Sequence, residues 1–169
     1  MVSDHEIIQA VLRGDRERYG ELVSRYQLAA WKLAYSFVGN FEDAKDLSQN
    51  GFVKACQNLA QFRGRAEFST WLYRIIVNEC KDFFKGRARQ PEVVPLSSQT
   101  DGEEPFLFDV ADRSGDPRVA AANRELGAQL SQAIRSLPMK QRTVFVLHHL
   151  HGMTLEKVSE VMGCRWGTV

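Results

Sequence analysis

The chain has no long apolar run. No uninterrupted stretch approaches the roughly 20 residues a membrane-spanning helix requires. Its N-terminus, Met-Val-Ser-Asp-His-Glu, lacks the basic segment and apolar core of a secretory signal. Cysteine is scarce: Cys56, Cys80 and Cys164 stand alone, with no CxxC pair, so neither a disulfide scaffold nor a cysteine zinc site is expected. There is no glycine-rich phosphate loop, no internal repeat, no Ser/His/Asp set and no catalytic carboxylate pair. An enzyme is therefore not expected, and neither is a cofactor or a bound metal. His148, His149 and His151 lie close together, but no carboxylate or cysteine sits beside them. Favourable charge at a helix C-terminus accounts for them more simply than a metal does. What remains is a profile of 25% charged and 44% apolar residues over 169 positions, that of a cytosolic globular protein of one or two small domains.

The net charge of +1 conceals a pattern. Residues 63–90 carry 7 basic and 3 acidic residues, and residues 117–169 carry the same numbers. Between them, residues 91–116 carry 1 basic and 7 acidic residues. Two basic segments thus flank an acidic one. Basic clustering is the footprint of a nucleic-acid surface, although ordinary surface charge of this size is common. The acidic segment also holds Pro91, Pro95, Pro105, Gly102 and Gly115, and its apolar residues keep no helical period. It reads as an extended or flexible connector.

On either side of it the periodicity is helical, and no strand alternation is convincing. The expected fold is all-α. Two small helical domains, 1–90 and 117–169, are joined by the linker 91–116. Helices are expected near 4–13, 16–38 and 40–61, and from about Ser69 to a stop before Gly86. After the linker they are expected near 117–136, 138–151 and 154–162, with Asn40 and Thr154 as caps and Gly39, Gly152 and Gly163 as stops.

The helical angle of 100° per residue separates faces. On the third helix Ala44, Leu47, Gly51, Phe52, Ala55 and Leu59 fall together as a core face. Asp46, Gln49, Asn50, Val53 and Gln57 form a narrow stripe opposite. A solvated face accounts for four of these. Val53 among them fits a partner-binding face, and the two readings stay open. On the fourth helix Leu72, Ile75, Ile76, Cys80 and Phe83 point inward, while Arg74, Asn78, Lys81 and Lys85 line the opposite side with Trp71 at its edge. Arg and Lys neutralise phosphates, and Asn pairs with base edges. The preceding segment, Phe62-Arg63-Gly64-Arg65-Ala66-Glu67-Phe68, is a basic loop bounded by aromatics, a composition suited to unstacked bases. A core role competes for Phe62, Phe68 and Trp71. Thr154 to Val169 reads as a helix-turn-helix with Leu155, Val158 and Val161 inward. Cys56 and Cys80 read as small buried residues.

These motifs together resemble one family. Asp46-Leu47-Ser48-Gln49 with Phe52-Val53-Lys54-Ala55 looks like the polymerase-binding helix of bacterial sigma factors. Phe62-Arg63-Gly64, then Phe68-Ser69-Thr70-Trp71-Leu72-Tyr73-Arg74-Ile75 and Asn78, is similar to the −10-reading segment of their extracytoplasmic-function group. Ser136-Leu137-Pro138, the run from Val144 to Leu150, and Gly163-Cys164 with Gly167-Thr168-Val169 are similar to that group's C-terminal domain.

The resemblance implies a non-catalytic initiation subunit whose partners are RNA polymerase core, promoter DNA and an anti-sigma factor, with no membrane insertion. Asp46, Gln49, Asn50 and Val53 would dock on the β′ clamp helices. Arg63, Arg65, Phe68 and Trp71 would capture a −10 base, with Arg74, Asn78, Lys81 and Lys85 on the adjacent backbone. The acidic linker would thread into basic polymerase channels. The C-terminal domain would contact the β flap and read the −35 element through Arg165, Trp166 and Thr168. In the family that recognition helix continues past Gly-Thr-Val, so a chain ending at Val169 is expected to be a C-terminally truncated member. A stand-alone helix-turn-helix regulator is the competing reading. It explains the C-terminus but leaves the Arg63–Lys85 constellation without a role.

Overall fold

The computed structural model describes residues 2–89 and 117–164, and every regular element among them is helical. The elements are α1 (Asp4–Leu12), a 3-10 turn at Arg16–Arg18, α2 (Tyr19–Val38) and α3 (Phe41–Gln57). A second 3-10 turn at Leu59–Gln61 leads into α4 (Phe68–Arg89). Then come α5 (Pro117–Ser136), α6 (Met139–Phe145), a π-helical turn at Val146–Leu150 and α7 (Leu155–Met162). The expected linker, 91–116, lies outside the described residues.

Local chemistry sets the helix ends. Ser3 closes a capping box on α1: its hydroxyl accepts from the Glu6 amide at 3.3 Å, and its own amide donates to the Glu6 carboxylate at 2.8 Å. Asn40 accepts from the Asp43 amide at 3.0 Å and starts α3. Gly39, at φ +68°, reverses the chain between α2 and α3 in the left-handed conformation that side chains disfavour. It also lies against the Arg135 guanidinium, which a Cβ there would have to displace.

α2, α3 and α4 form the main bundle, with α1 across one end. Leu22, Ala30, Leu33, Ala34 and Phe37 of α2 meet Ala44, Leu47, Phe52 and Ala55 of α3 and Leu72, Ile76, Val77 and Cys80 of α4. α3 and α4 come so close that a Cβ on Gly51 would stand 2.7 Å from Ile76 Cγ1. The same core runs on without a break into Ile134, Val146, Leu147, Met153, Val158 and Val161 of the C-terminal helices.

Several expectations need correction. α4 runs through Gly86 to Arg89, because one glycine costs a helix only about 1 kcal/mol. α3 stops at Gln57 and a 3-10 turn completes the expected span. The helix expected to reach His151 changes to a π-helical turn after Phe145. Cys56 is exposed, since it lies beside the outward stripe of α3, whereas Cys80 is buried and its thiol is pushed up to about 12 by desolvation. Leu155, the first residue of α7, is 36% exposed, while Val158 and Val161 are buried as expected.

His148 and His149 lie in the last turn as expected, but His151 is not a charged helix end. His148 Nδ1 lies 2.8 Å from the Met153 carbonyl. His151 is half-buried against Tyr73, ring centroids 5.8 Å apart, and desolvation, with Lys32 adding to it, pushes its pKa down to about 4. A base whose folded pKa is depressed binds fewer protons folded than unfolded. Stability should therefore be constant above neutrality and fall as pH drops from about 6.5 towards 4, by on the order of a few kcal/mol. Thermal melts at pH 7.5, 6 and 4.5 check this. His151→Phe should flatten that part of the profile, and an unchanged slope would rule the assignment out.

Candidate nucleic-acid interface

Two outward stripes on adjacent helices form the candidate surfaces. On α3, Asp46, Gln49, Asn50 and Gln57 are exposed, and Val53 among them is 53% exposed. The opposite side of α3 is fully engaged. Phe52 and Ala55 are buried, and the Phe52 carbonyl accepts from the Tyr19 hydroxyl at 2.8 Å. The stripe is thus a rigid polar face with one apolar residue held up to solvent, on a helix whose orientation the core determines. Lys54 at its edge pairs with Glu79 of α4 and fixes α3 against α4.

The second surface begins in the loop before α4. Arg63 and Arg65 flank Gly64, and all three are exposed. Behind them Phe62, Phe68 and Trp71 form one aromatic cluster, with centroid separations of 5.3 Å for Phe62–Trp71 and 5.9 Å for Phe68–Trp71. The three are not equivalent. Phe68 is 2% exposed and also packs on Tyr26, at 5.6 Å. This corrects the expectation that Phe68 meets a base: its ring is the floor of the cluster. Trp71 is half-buried and offers the accessible ring.

Farther along α4, Arg74, Asn78 and Lys85 are exposed and Lys81 is half-buried. The Lys81 pKa is lowered, first by burial and then by repulsion from Lys85 and Arg74. Lys85 has only a weakly placed partner, Asp82 at 3.2 Å with both side chains exposed. Among the described residues Arg63, Arg65, Arg74 and Lys81 form no ion pair, whereas Arg18, Arg25, Lys54 and Lys157 each hold a carboxylate. Unpaired cations in a row that repel one another form a site still needing anions.

Trp71, Arg74, Asn78, Lys81 and Lys85 recur on one side of α4, and Arg63 and Arg65 are exposed in the loop that leads into it. Arg165, Trp166 and Thr168 lie outside the described residues. No group of three or more His, Cys, Asp or Glu able to hold a metal occurs among the described residues, and no described helix is long and apolar enough to cross a membrane.

Three features had no signal in the sequence. Lys157 of α7 pairs with Glu67 at 2.8 Å. Arg142 of α6 donates to the Phe37 carbonyl at 3.3 Å and to the Arg135 and Leu137 carbonyls, and lies over the Phe84 ring at 5.4 Å. A largely apolar cleft of about 950 Å³ opens between α4 and α6, walled by Lys81, Phe84, Lys85, Leu137, Val144 and Phe145.

Both halves of the chain match known families. A model of Sigma-70 region 2 matches residues 22–90, and one of Sigma-70 region 4 matches residues 127–169. The RNA polymerase sigma-H factor of Pseudomonas aeruginosa is 34% identical, covering 98% of this chain and 86% of that protein. The ECF RNA polymerase sigma-E factor of Haemophilus influenzae is 32% identical, covering 99% and 88%. Among solved structures, CnrH in complex with the cytosolic domain of CnrY superposes with a TM-score of 0.67 at 24% identity, over 98% of this chain and 86% of that one. The sigma factor RpoE of Bartonella quintana, in complex with the anti-sigma factor NepR, gives 0.61 at 21% identity, over 89% and 86%. At these identities the two structures speak to the fold.

Proposed function

The chain belongs to the extracytoplasmic-function group of sigma-70 factors, and from that premise we propose that it directs core RNA polymerase to promoters and opens their −10 region. The row of cations on α4, Arg74 and Lys81 among them without an ion pair to any described residue, beside an accessible tryptophan carries the reading. Melting then needs no chemistry. An unstacked base is held against Trp71 and the Arg63–Arg65 loop, while Arg74, Lys81 and Lys85 neutralise the phosphates on either side and Asn78 meets a base edge. The stacking on Trp71 exists only with an unstacked base, so that binding energy favours the open form.

In this proposal residues 1–90 bind polymerase and the −10 element, 91–116 connect, and 117–169 read the −35 element. Asp46, Gln49, Asn50 and Val53 form the polymerase face. It is supported by the exposure of a valine within a rigid polar stripe that nothing in the fold requires. The site of action is the cytoplasm, where polymerase works. An anti-sigma factor is the proposed regulator. The CnrH and Bartonella quintana structures, each a complex with a second protein, support a fold suited to such capture.

The test is co-elution with bacterial core polymerase. The wild-type chain should co-elute, and Asp46→Ala/Gln49→Ala should lose most of that binding while its circular dichroism stays helical, because both side chains are exposed. Core binding unaltered by the double substitution would exclude this face. Binding of duplex DNA by the free chain as a dimer, with no affinity for core, would instead indicate a stand-alone regulator.

A further inference from the structure

The polymerase face and the strand row stand on different helices, α3 and α4, and promoter opening uses both at once. A strand held on α4 reaches polymerase only along a path that the α3 stripe sets. The separation of the two faces therefore matters to function, and the backs of the two helices meet most closely at one point.

That point is Gly51 against Ile76. Gly51 lies between Asn50 and Val53 in the chain but is buried, while both of them are exposed. Ile76 lies midway between Arg74 and Asn78 and is 0% exposed. A Cβ on Gly51 would stand 2.7 Å from Ile76 Cγ1, 3.7 Å from Cδ1 and 3.8 Å from Cβ. Carbon atoms rest at about 3.5–4.0 Å, so one added methyl would need about 1 Å of extra room. Ile76 has little to give, because a β-branched side chain in a helix keeps essentially one χ1 rotamer. Gly51 also has no backbone reason to be glycine. It sits inside α3 and is not among the glycines of positive φ. Glycine weakens a helix interior relative to alanine, so the close approach to Ile76 is what accounts for it.

Two ion pairs bracket this contact along α3. Asp43 meets Arg87 at 3.9 Å, and Lys54 meets Glu79 at 2.5 Å. The Glu79 side chain is only 12% exposed, so salt screens that pair less than a surface one. With α3 tied to α4 on either side of Gly51, a wedge there shifts the helix and carries its outer stripe along.

Resting on the sigma reading above, we propose that Gly51 and Ile76 are positioning residues for promoter opening: their contact sets the offset between the polymerase face on α3 and the strand row on α4. Both are buried, so neither meets polymerase or DNA. Altering the contact leaves each stripe chemically intact and changes only how the two stand to each other. Binding constellations need their parts held within about 0.5 Å, and one methyl at Gly51 exceeds that.

The test compares the full-length wild type with Gly51→Ala and Gly51→Ala/Ile76→Ala. Three quantities are read: melting temperature, affinity for core polymerase, and the rate at which the holoenzyme opens a duplex promoter. That promoter is one that wild-type holoenzyme has selected from a random-sequence pool. Gly51→Ala should stay folded, because the higher helix propensity of alanine offsets part of the crowding. Its core affinity should match wild type to within about twofold, since no residue of either stripe has changed. Its opening rate should fall roughly 10-fold or more, the scale on which a misplacement of about 1 Å acts on aligned groups. Trimming Ile76 removes the Cγ1 that the new methyl meets. The double variant should therefore regain most of the opening rate, even though it loses core packing and melts lower. A merely structural defect would do the reverse, lowering core affinity and opening together and worsening both when Ile76 is trimmed. Opening at the wild-type rate in Gly51→Ala, a core affinity that falls by the same factor as opening, or no recovery in the double variant would each overturn the inference. A wild type that binds no core, or binds core and selects no promoter, would sink the sigma reading itself.

Discussion

Phe68→Ala should unfold much of the N-terminal bundle, and Trp71→Ala should not. Phe68 is 2% exposed and touches Tyr26, Phe62 and Trp71 in one aromatic cluster. Removing a buried phenylalanine ring leaves a cavity and typically costs about 3–5 kcal/mol, a large share of the 5–15 kcal/mol that holds a domain folded. The melting transition should drop steeply, and every function of the bundle should fall with it. Trp71 is half-buried at the rim of the same cluster. Its loss should cost less stability, but it removes the accessible ring. Base–aromatic stacking contributes about 1–3 kcal/mol per base, so strand capture should weaken roughly 5- to 150-fold while core binding persists. Thermal melts with an open-promoter assay separate the two. Strand capture by Trp71→Ala equal to wild type would remove that ring from the site, and a stable Phe68→Ala would contradict the packing.

The contrast between these neighbouring aromatics shows where sequence legibility stops. Faces within one helix were readable, because a 3.6-residue period is local information. Ala44, Leu47, Phe52 and Ala55 inward with Asp46, Gln49, Asn50 and Val53 outward follow from spacing alone, and the burial agrees. Caps were readable for the same reason: Asn40 and Thr154 each accept from the amide three residues on. Phe68 was not, because it starts its helix, and only the arrival of Tyr26 from α2 closes over it. Leu155 failed in mirror image, as a helix-initial residue expected inside that stays 36% exposed. Glycine was an uneven signal. Gly39 ends α2 because the chain must turn there, while Gly86 is absorbed by a long helix. Least legible was the closure of the C-terminal helices on α4. It depends on pairs 90 and 105 residues apart, Glu67–Lys157 and Phe37–Arg142, and no period or motif encodes such distances.

Arg74→Ala/Lys81→Ala/Lys85→Ala should change the salt dependence of promoter opening as much as its strength. Each lysine or arginine on a phosphate displaces counterions, and for single strands the slope of log affinity against log salt is about −0.7 per neutralised phosphate. Losing three should flatten the slope by about 2. Between 1 M and 50 mM salt that exponent amounts to several hundred-fold, so the deficit should be large in dilute buffer and nearly vanish in concentrated salt. Arg74 and Lys85 are exposed and Lys81 sheds its mutual repulsion with them, so the triple variant should melt at or above the wild-type temperature. Holoenzyme bound to a forked promoter, titrated from 50 mM to 1 M salt, reads slope and intercept together. A parallel line, weaker by the same factor at every salt, would mean the residues act through shape and not charge. An unchanged line would place the opened strand elsewhere on the bundle. In the expected result, the flattened slope counts directly how many of the three cations reach a phosphate.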